Sequence, residues 1–342
     1  MAEISKIAWT DATFNPWIGC AKISEGCKHC YASVDTFARR SRANGLELWG
    51  VDAARHRTAV DYWKKPLRWN REATETGVRR RVFCASLADV FEDRRDLDPW
   101  RADLFALIEA TPALDWLLLM KRPESIMRLV PESWRERFPP NVWQGTTVEN
   151  QEAADRRVPE LLRVPAAVRF LSVEPMIGAV DLDLPRCEDH DRDEVQILDG
   201  EECCNECAAS GYSGELSYGH WLDACADVDQ PGINWVIVGG ESGPGARPFD
   251  LAWAASISEQ CRAAGVPYFF KQAGAFPCLS NVNATDVSDE HLLDGPAGVD
   301  GAAAFRLAVK DRKGGDVAER ARVLPDLAAA GVFRREFPAA RP

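Results

Sequence analysis

The 342-residue sequence has no apolar run long enough to cross a bilayer: "WLLLM" and "INWVIV" are short, and a spanning helix takes about 18 to 20 apolar residues. Its N-terminus, "MAEISKIAWTD", carries acids and no apolar core of signal-peptide length, so export is not expected and the cytoplasm is. Internal repeats and low-complexity tracts are absent as well, which argues against a repeat array or a biased linker. A one-sided charge is missing from most of the chain. Thirteen Asp/Glu and one Arg lie between Cys187 and Gln230, while the rest holds forty acids and forty bases, so the net charge of −12 belongs to that one segment. Basic patches such as Arg79, Arg80 and Arg81 remain available elsewhere, and charge alone does not exclude a polyanionic partner. What is present is a 46% hydrophobic composition with twelve tryptophans, the mark of a packed globular protein of one large or two ordinary domains.

Eleven cysteines in a reducing compartment divide into grouped ones, which suit metals, and scattered ones, which suit a core. The stretch "GCAKISEGCKHCYA" at 19–32 holds Cys20, Cys27 and Cys30, and three is the wrong number for disulfides. Four-iron clusters normally take four thiolates, so three from one loop leave one iron open to a small molecule. A zinc site completed by His29 or a distant residue is the alternative, although His29 directly precedes Cys30 and its ring reaches the same ion with difficulty. The acidic segment carries a second signature. Cys187-x2-His190 and Cys204-x2-Cys207 are two close chelating pairs, the usual build of a tetrahedral structural Zn2+ site. Cys203, His220 and Cys225 are substitutes there, and an auxiliary iron–sulfur cluster or incidental cysteines are the rival readings. Such a site folds a zinc-ribbon-like insertion too small and acidic to build its own core. Cys84 and Cys261 read as core, and Trp9, Trp17 and Trp143 as packing.

Strand-like runs appear at "KIAWTDA", "RRVFCAS", "DWLLLMKR", "NVWQGTTV", "VRFLSVEP", "INWVIVGGES" and "VPYFFKQAG". Segments of helical period lie between them, among others at 98–110, 150–162 and 251–264. Near-continuous apolar strands alternating with helices predict an α/β fold, a partial (β/α) barrel of six to seven mostly parallel strands. The acidic insertion interrupts this alternation. The expected organisation is therefore 1–184 and 232–278 as the two parts of the barrel, 185–231 as the insertion and 279–342 as a C-terminal extension.

The runs end in polar residues: Ser86 and Asp89; Lys121 and Arg122; Glu149 and Asn150; Glu174; Glu241; Lys271 and Gln272. In a (β/α) barrel these carboxyl ends form the active-site face, and the three-cysteine loop follows the first strand onto it. "GGESGPGARP" at 239–248 reads either as an anion cradle of backbone N–H groups or as a tight strand-to-helix connection. "RRSR" at 39–42 and "RRR" at 79–81 read as solvated faces before they read as nucleic-acid contacts.

Together "IAWTDATFNPWIGCAKISEGCKHCYA", "NVWQGTTVENQ", "VRFLSVEP", "INWVIVGGESGPGARP" and "FFKQ" resemble the phage-associated three-cysteine-motif family, across about residues 5 to 276. That family is similar to an outlying branch of the radical S-adenosylmethionine enzymes. The resemblance implies a 4Fe-4S cluster on Cys20, Cys27 and Cys30, with S-adenosyl-L-methionine on the open iron as a source of a 5′-deoxyadenosyl radical. Six residues separate the first two cysteines, where the superfamily has three, and His29 stands where it often has an aromatic. "GGE" at 239–241 follows the sixth strand rather than the second, so Ser86 and Asp89 are the second-strand candidates; Ala273 and Phe276 stand where relatives often have tryptophans. The expected cofactor pocket takes in Ser86, Asp89, Glu149, Asn150, Ser172, Glu174, Glu241 and Lys271, because the cofactor needs donors and acceptors of both charges. The phage setting implies a nucleic acid or nucleotide substrate and a phage- or operon-encoded protein partner. Two other classes are open: a non-enzymatic zinc-binding scaffold acting with a neighbouring phage protein, and a metal-dependent nucleic-acid modification or repair enzyme without radical chemistry.

Overall fold

Seven apolar runs separated by helices fold into seven parallel strands. The computed structural model describes residues 5, 7–182, 195–198, 201–204, 232–243, 245–278, 292–293, 306–307 and 334–338. β1 (Ala12–Thr13), β2 (Arg80–Cys84), β3 (Leu114–Met120), β4 (Val142–Thr147), β5 (Val168–Val173), β6 (Trp235–Gly239) and β7 (Tyr268–Gln272) form one sheet in chain order. Every neighbouring pair is parallel. Both faces are covered, which is why the strands read as continuous apolar runs. On β5, Val168 and Phe170 face the concave side, while Leu171 and Val173 pack outward against helices.

The outer layer comes from amphipathic helices in the connections. α1 (Thr36–Ala43) lies in the long β1–β2 connection, together with α2 (Lys65–Thr76). α3 (Asp98–Glu109), α4 (Gln151–Leu162) and α5 (Leu251–Ala263) follow β2, β4 and β6. Trp69 and Ala73 of α2 and Leu104, Phe105 and Ile108 of α3 share a core with β2 and β3. Ala154, Val158 and Leu161 of α4 and Ala254, Ile257 and Cys261 of α5 share one with β5 and β6. Cys84 and Cys261 are both buried in these cores.

Contacts across the concave side show that the sheet curls into a half-barrel. In a flat sheet β1 and β6 would stand about 24 Å apart, five steps of about 4.8 Å. Yet Trp9, just before β1, meets Trp235 of β6 edge-on with ring centroids 6.3 Å apart. Trp9, Phe83, Leu117, Trp143, Phe170, Trp235, Ile237 and Phe269 fill the space between. Gly145 makes room for one of them, since a Cβ there would lie 2.4 Å from the Phe170 ring.

The first strand is shorter than the sequence suggests. Residues 7–10 form a turn, with the Thr10 N–H donating to Ile7 O at 3.2 Å, and Trp9 drops into the concave cluster instead of extending β1. At the other edge residues 334–338 run along β7: Phe270 N–H donates to Arg334 O at 2.8 Å and Glu336 N–H to Tyr268 O at 2.9 Å. Phe337 then covers Trp235 and Phe269 from below, with Arg81 of β2 over its ring at 4.0 Å. In the insertion, Val195–Leu198 pairs antiparallel with Glu201–Cys204. The zinc expectation at Cys187, His190 and Cys207 lies outside the described residues, and for Cys204 only its place at the end of that hairpin is described. Among the described residues no helix is long and apolar enough to cross a membrane.

Candidate functional site

The β1–β2 connection brings the three cysteines onto the carboxyl ends of the strands. After β1, Trp17–Ile18 pairs with His56–Arg57, and Gly19 turns the chain with φ +115°. No side chain fits at Gly19, since a Cβ would lie 2.4 Å from Leu48 O. Cys20, Cys27 and Cys30 follow, all partly exposed free thiols, with short helical turns at Glu25–Cys27 and Tyr31–Ser33.

Charged residues beyond the strand ends hold this loop. The Ala21 peptide is gripped at both atoms: its N–H donates to Glu92 Oε1 at 3.2 Å, and its carbonyl accepts from Arg122 Nη2 at 2.9 Å. Each gripping side chain belongs to a buried ion pair, Glu92 with Arg55 at 2.6 Å and Arg122 with Asp89 at 2.7 Å. Arg122 Nη1 also donates to Cys20 Sγ at 3.8 Å. Farther along, Gly26 N–H donates to Glu149 Oε1 at 3.4 Å, and Glu149 pairs with Arg157 of α4 at 2.6 Å, both side chains buried. A Cβ on Gly26 would lie 2.9 Å from Glu149 Cδ, so glycine is what allows the approach. His29 Nδ1 lies 3.1 Å from Glu241 Oε2 beyond β6. Arg247 clamps Glu241 through its backbone N–H at 3.0 Å and its guanidinium at 2.7 Å, and reaches Glu25 at 3.6 Å. Tyr31 OH donates to Ser86 O at 3.0 Å.

These surroundings push Cys20 and Cys27 in opposite directions. Burial, followed by the charge of Asp89, raises Cys20 to about 12 against the opposing pull of Arg122. Burial also opposes ionisation of Cys27, but the Lys121 charge and hydrogen bonds from Ile23 and Ser24 outweigh it and hold that thiol below its ordinary value. Glu149 is likewise held low: burial raises it, and Lys121, Arg157 and Ser24 more than compensate. For Glu241 the Arg247 clamp and His29 outweigh burial in the same sense.

The expected pocket residues therefore have specific places. Ser86, Asp89, Glu149 and Glu241 touch the loop directly or through one arginine or tyrosine. Glu174 and Lys271 pair with each other, Nζ lying 2.6 and 2.7 Å from the two carboxylate oxygens, and Gln272 Nε2 donates to the same carboxylate at 3.1 Å. Gly239 lies beside them, its missing Cβ 3.4 Å from Glu174. Ser172 is buried beneath Glu174 on the concave face, between Thr147 and Ile237 in register. Asn150 caps α4, its Oδ1 accepting from Ala153 N–H at 3.0 Å. Within "GGESGPGARP" the Glu241 carboxylate takes up the Arg247 N–H. Arg79, Arg80 and Arg81 each pair with an acid, Asp115, Glu72 and Asp11.

Reading strand ends alone left out some of the groups that do the holding. Arg122 and Lys121 were visible as the polar end of "LLLMKR", whereas Glu92, Arg55 and Arg157 are brought in only by the fold. Among the described residues no three His, Cys, Asp or Glu side chains converge on an ion position as placed. The donor set nevertheless suits a thiolate-bound group: three thiols on one anchored loop, with Arg122 and Lys121 beside two of them.

A family model described as "Protein of unknown function (DUF5131)" matches residues 4–299. The chain belongs to the DUF5131 family. No curated protein and no solved structure matches it. The span shared with DUF5131 includes all seven strands and the three-cysteine loop, and it ends before the edge segment 334–338.

Proposed function

We propose that this DUF5131 protein is a radical S-adenosylmethionine-type enzyme, with Cys20, Cys27 and Cys30 as the ligands of a 4Fe-4S cluster. One observation carries the reading: the three-cysteine loop lies over the carboxyl ends of a parallel half-barrel, tied to residues beyond β2, β3, β4 and β6. That is the face on which barrel enzymes place their chemistry. When bound, the cluster and S-adenosylmethionine supply reductive cleavage of the cofactor and a 5′-deoxyadenosyl radical. The chain's own residues hold and shield. Glu92, Arg122, Glu149 and Glu241 fix the loop, while Glu174, Lys271 and Gln272 offer a carboxylate, an ammonium and an amide on the neighbouring strand ends. The concave cluster below closes the amino end of the barrel.

A nucleic acid or nucleotide is the substrate class that the family resemblance implies. The reading also keeps a structural zinc on Cys187, His190, Cys204 and Cys207 and places the protein in the cytoplasm, where free thiols persist. Reduced, anaerobically reconstituted protein should convert S-adenosylmethionine to 5′-deoxyadenosine, detected by liquid chromatography and mass spectrometry, and Cys27→Ala should not. A protein with its iron in place and no such product would remove the radical reading. Zinc as the sole metal would favour a scaffold.

A further inference from the structure

The Cys20 thiol has a neighbour that loop anchoring alone does not require. Arg122 needs only its Nη2 to hold Ala21 O, yet Nη1 is shared between Asp89 at 2.7 Å and Cys20 Sγ at 3.8 Å. Both Arg122 and Asp89 are buried, at 8% and 4% exposure, so water and salt screen their charges weakly. Asp89 is fixed in turn by the backbone N–H groups of Phe91 at 2.9 Å and Lys121 at 3.3 Å. A fixed cation paired with a fixed anion therefore stands beside one particular sulfur. Cys30, by contrast, packs against the apolar group of Ile18, Leu48 and Leu87.

We propose that Arg122, oriented by Asp89, is a positioning residue that sets the reduction potential of the group bound at Cys20. This rests on the cluster reading of the same loop. One-electron reduction, with the electron coming from a low-potential donor such as dithionite, adds one negative charge to the cluster. A guanidinium donating to a ligand sulfur stabilises that charge, and hydrogen bonds to sulfur are among the levers that set cluster potentials. Asp89 opposes it while holding the fork in place. Lys22, exposed on the same loop and donating to Lys28 O, carries the same charge in water and should have little influence.

The test is a dithionite titration followed by electron paramagnetic resonance on anaerobically reconstituted full-length protein. Arg122→Gln should lower the midpoint potential relative to wild type, Arg122→Lys should stay nearer to it, Asp89→Asn should raise it, and Lys22→Gln should leave it unchanged. Equal potentials in wild type and Arg122→Gln, or an equal shift in Lys22→Gln, would overturn the inference while leaving the cluster reading intact. If Arg122→Gln fails to assemble a cluster, Asp89→Asn decides, and an unchanged potential there counts against the inference. A wild-type protein without any iron–sulfur signal overturns the cluster reading and this inference with it.

Discussion

The amino ends of the seven strands enclose Trp9, Trp143, Trp235, Phe269 and Phe337 in mutual ring contact, whereas their carboxyl ends carry Asp89, Arg122, Glu149, Glu174, Glu241 and Lys271. The same strands thus build two unlike regions. In the floor Trp235 touches five other rings, so removing it leaves a cavity that all of them feel. At the mouth each charge has a few fixed partners, and Arg122, Glu149 and Glu241 reach the three-cysteine loop directly. Damage to the floor should therefore unfold the barrel, and damage to the mouth should release the loop.

The largest expected effect is on the floor. Trp235 contacts Trp9, Trp143, Phe170, Phe269 and Phe337, and its Nε1–H donates to Glu336 O at 2.9 Å. Trp235→Ala should cost about 3–5 kcal/mol, read as a lower urea midpoint by far-ultraviolet circular dichroism. A loss confined to the loop would break the contrast between the two regions.

Next comes the buried pair at the mouth. Glu149→Gln should cost about 2 kcal/mol, the worth of a charge-assisted hydrogen bond. Hydrogen exchange should show lost protection at residues 19–31 ahead of the strands. Gly26→Ala should do the same through the clash with Glu149, and unchanged protection in both variants would refute the anchoring role. Acid should act similarly. The folded pKa of Glu149 lies below its ordinary value, so its contribution is present above the unfolded pKa and is lost as pH falls through the folded one. Exchange at 19–31 should therefore rise once pH drops below about 4, while the floor stays protected. Loss on raising pH instead would give the wrong sign.

The smallest effect on stability should come from Lys271, whose pair with Glu174 is partly exposed. Lys271→Met should change stability by about 1 kcal/mol or less. S-adenosylmethionine binding, followed by calorimetry, should weaken about tenfold, equivalent to about 1.4 kcal/mol. Unchanged affinity would remove this pair from the cofactor site.

The contrast also marks what could be read in advance. Seven strands in chain order were legible because a parallel sheet buried on both faces leaves continuous apolar runs. In "KIAWTDA" the strand begins later than the apolar pattern suggests, since Trp9 is as apolar as a strand residue but serves the floor. The polar strand ends were legible as one face. Their partners were not: Arg157 lies eight residues beyond Glu149 on α4, and Glu92 meets Arg55 across 37 residues. Such pairings depend on how loops and helices meet beyond the strand ends and leave no periodic trace. Asn150 precedes "QEAADRR" and carries the ordinary mark of a helix cap as plainly as that of a ligand.

The most direct test is a metal analysis of the three-cysteine loop, which the proposed function expects to hold an iron–sulfur cluster. Full-length protein reconstituted anaerobically should be brown and contain about four irons beyond any zinc, and Cys27→Ala should lose the colour without unfolding. A colourless protein containing zinc alone, or a Cys27→Ala variant that keeps its full iron, would contradict it.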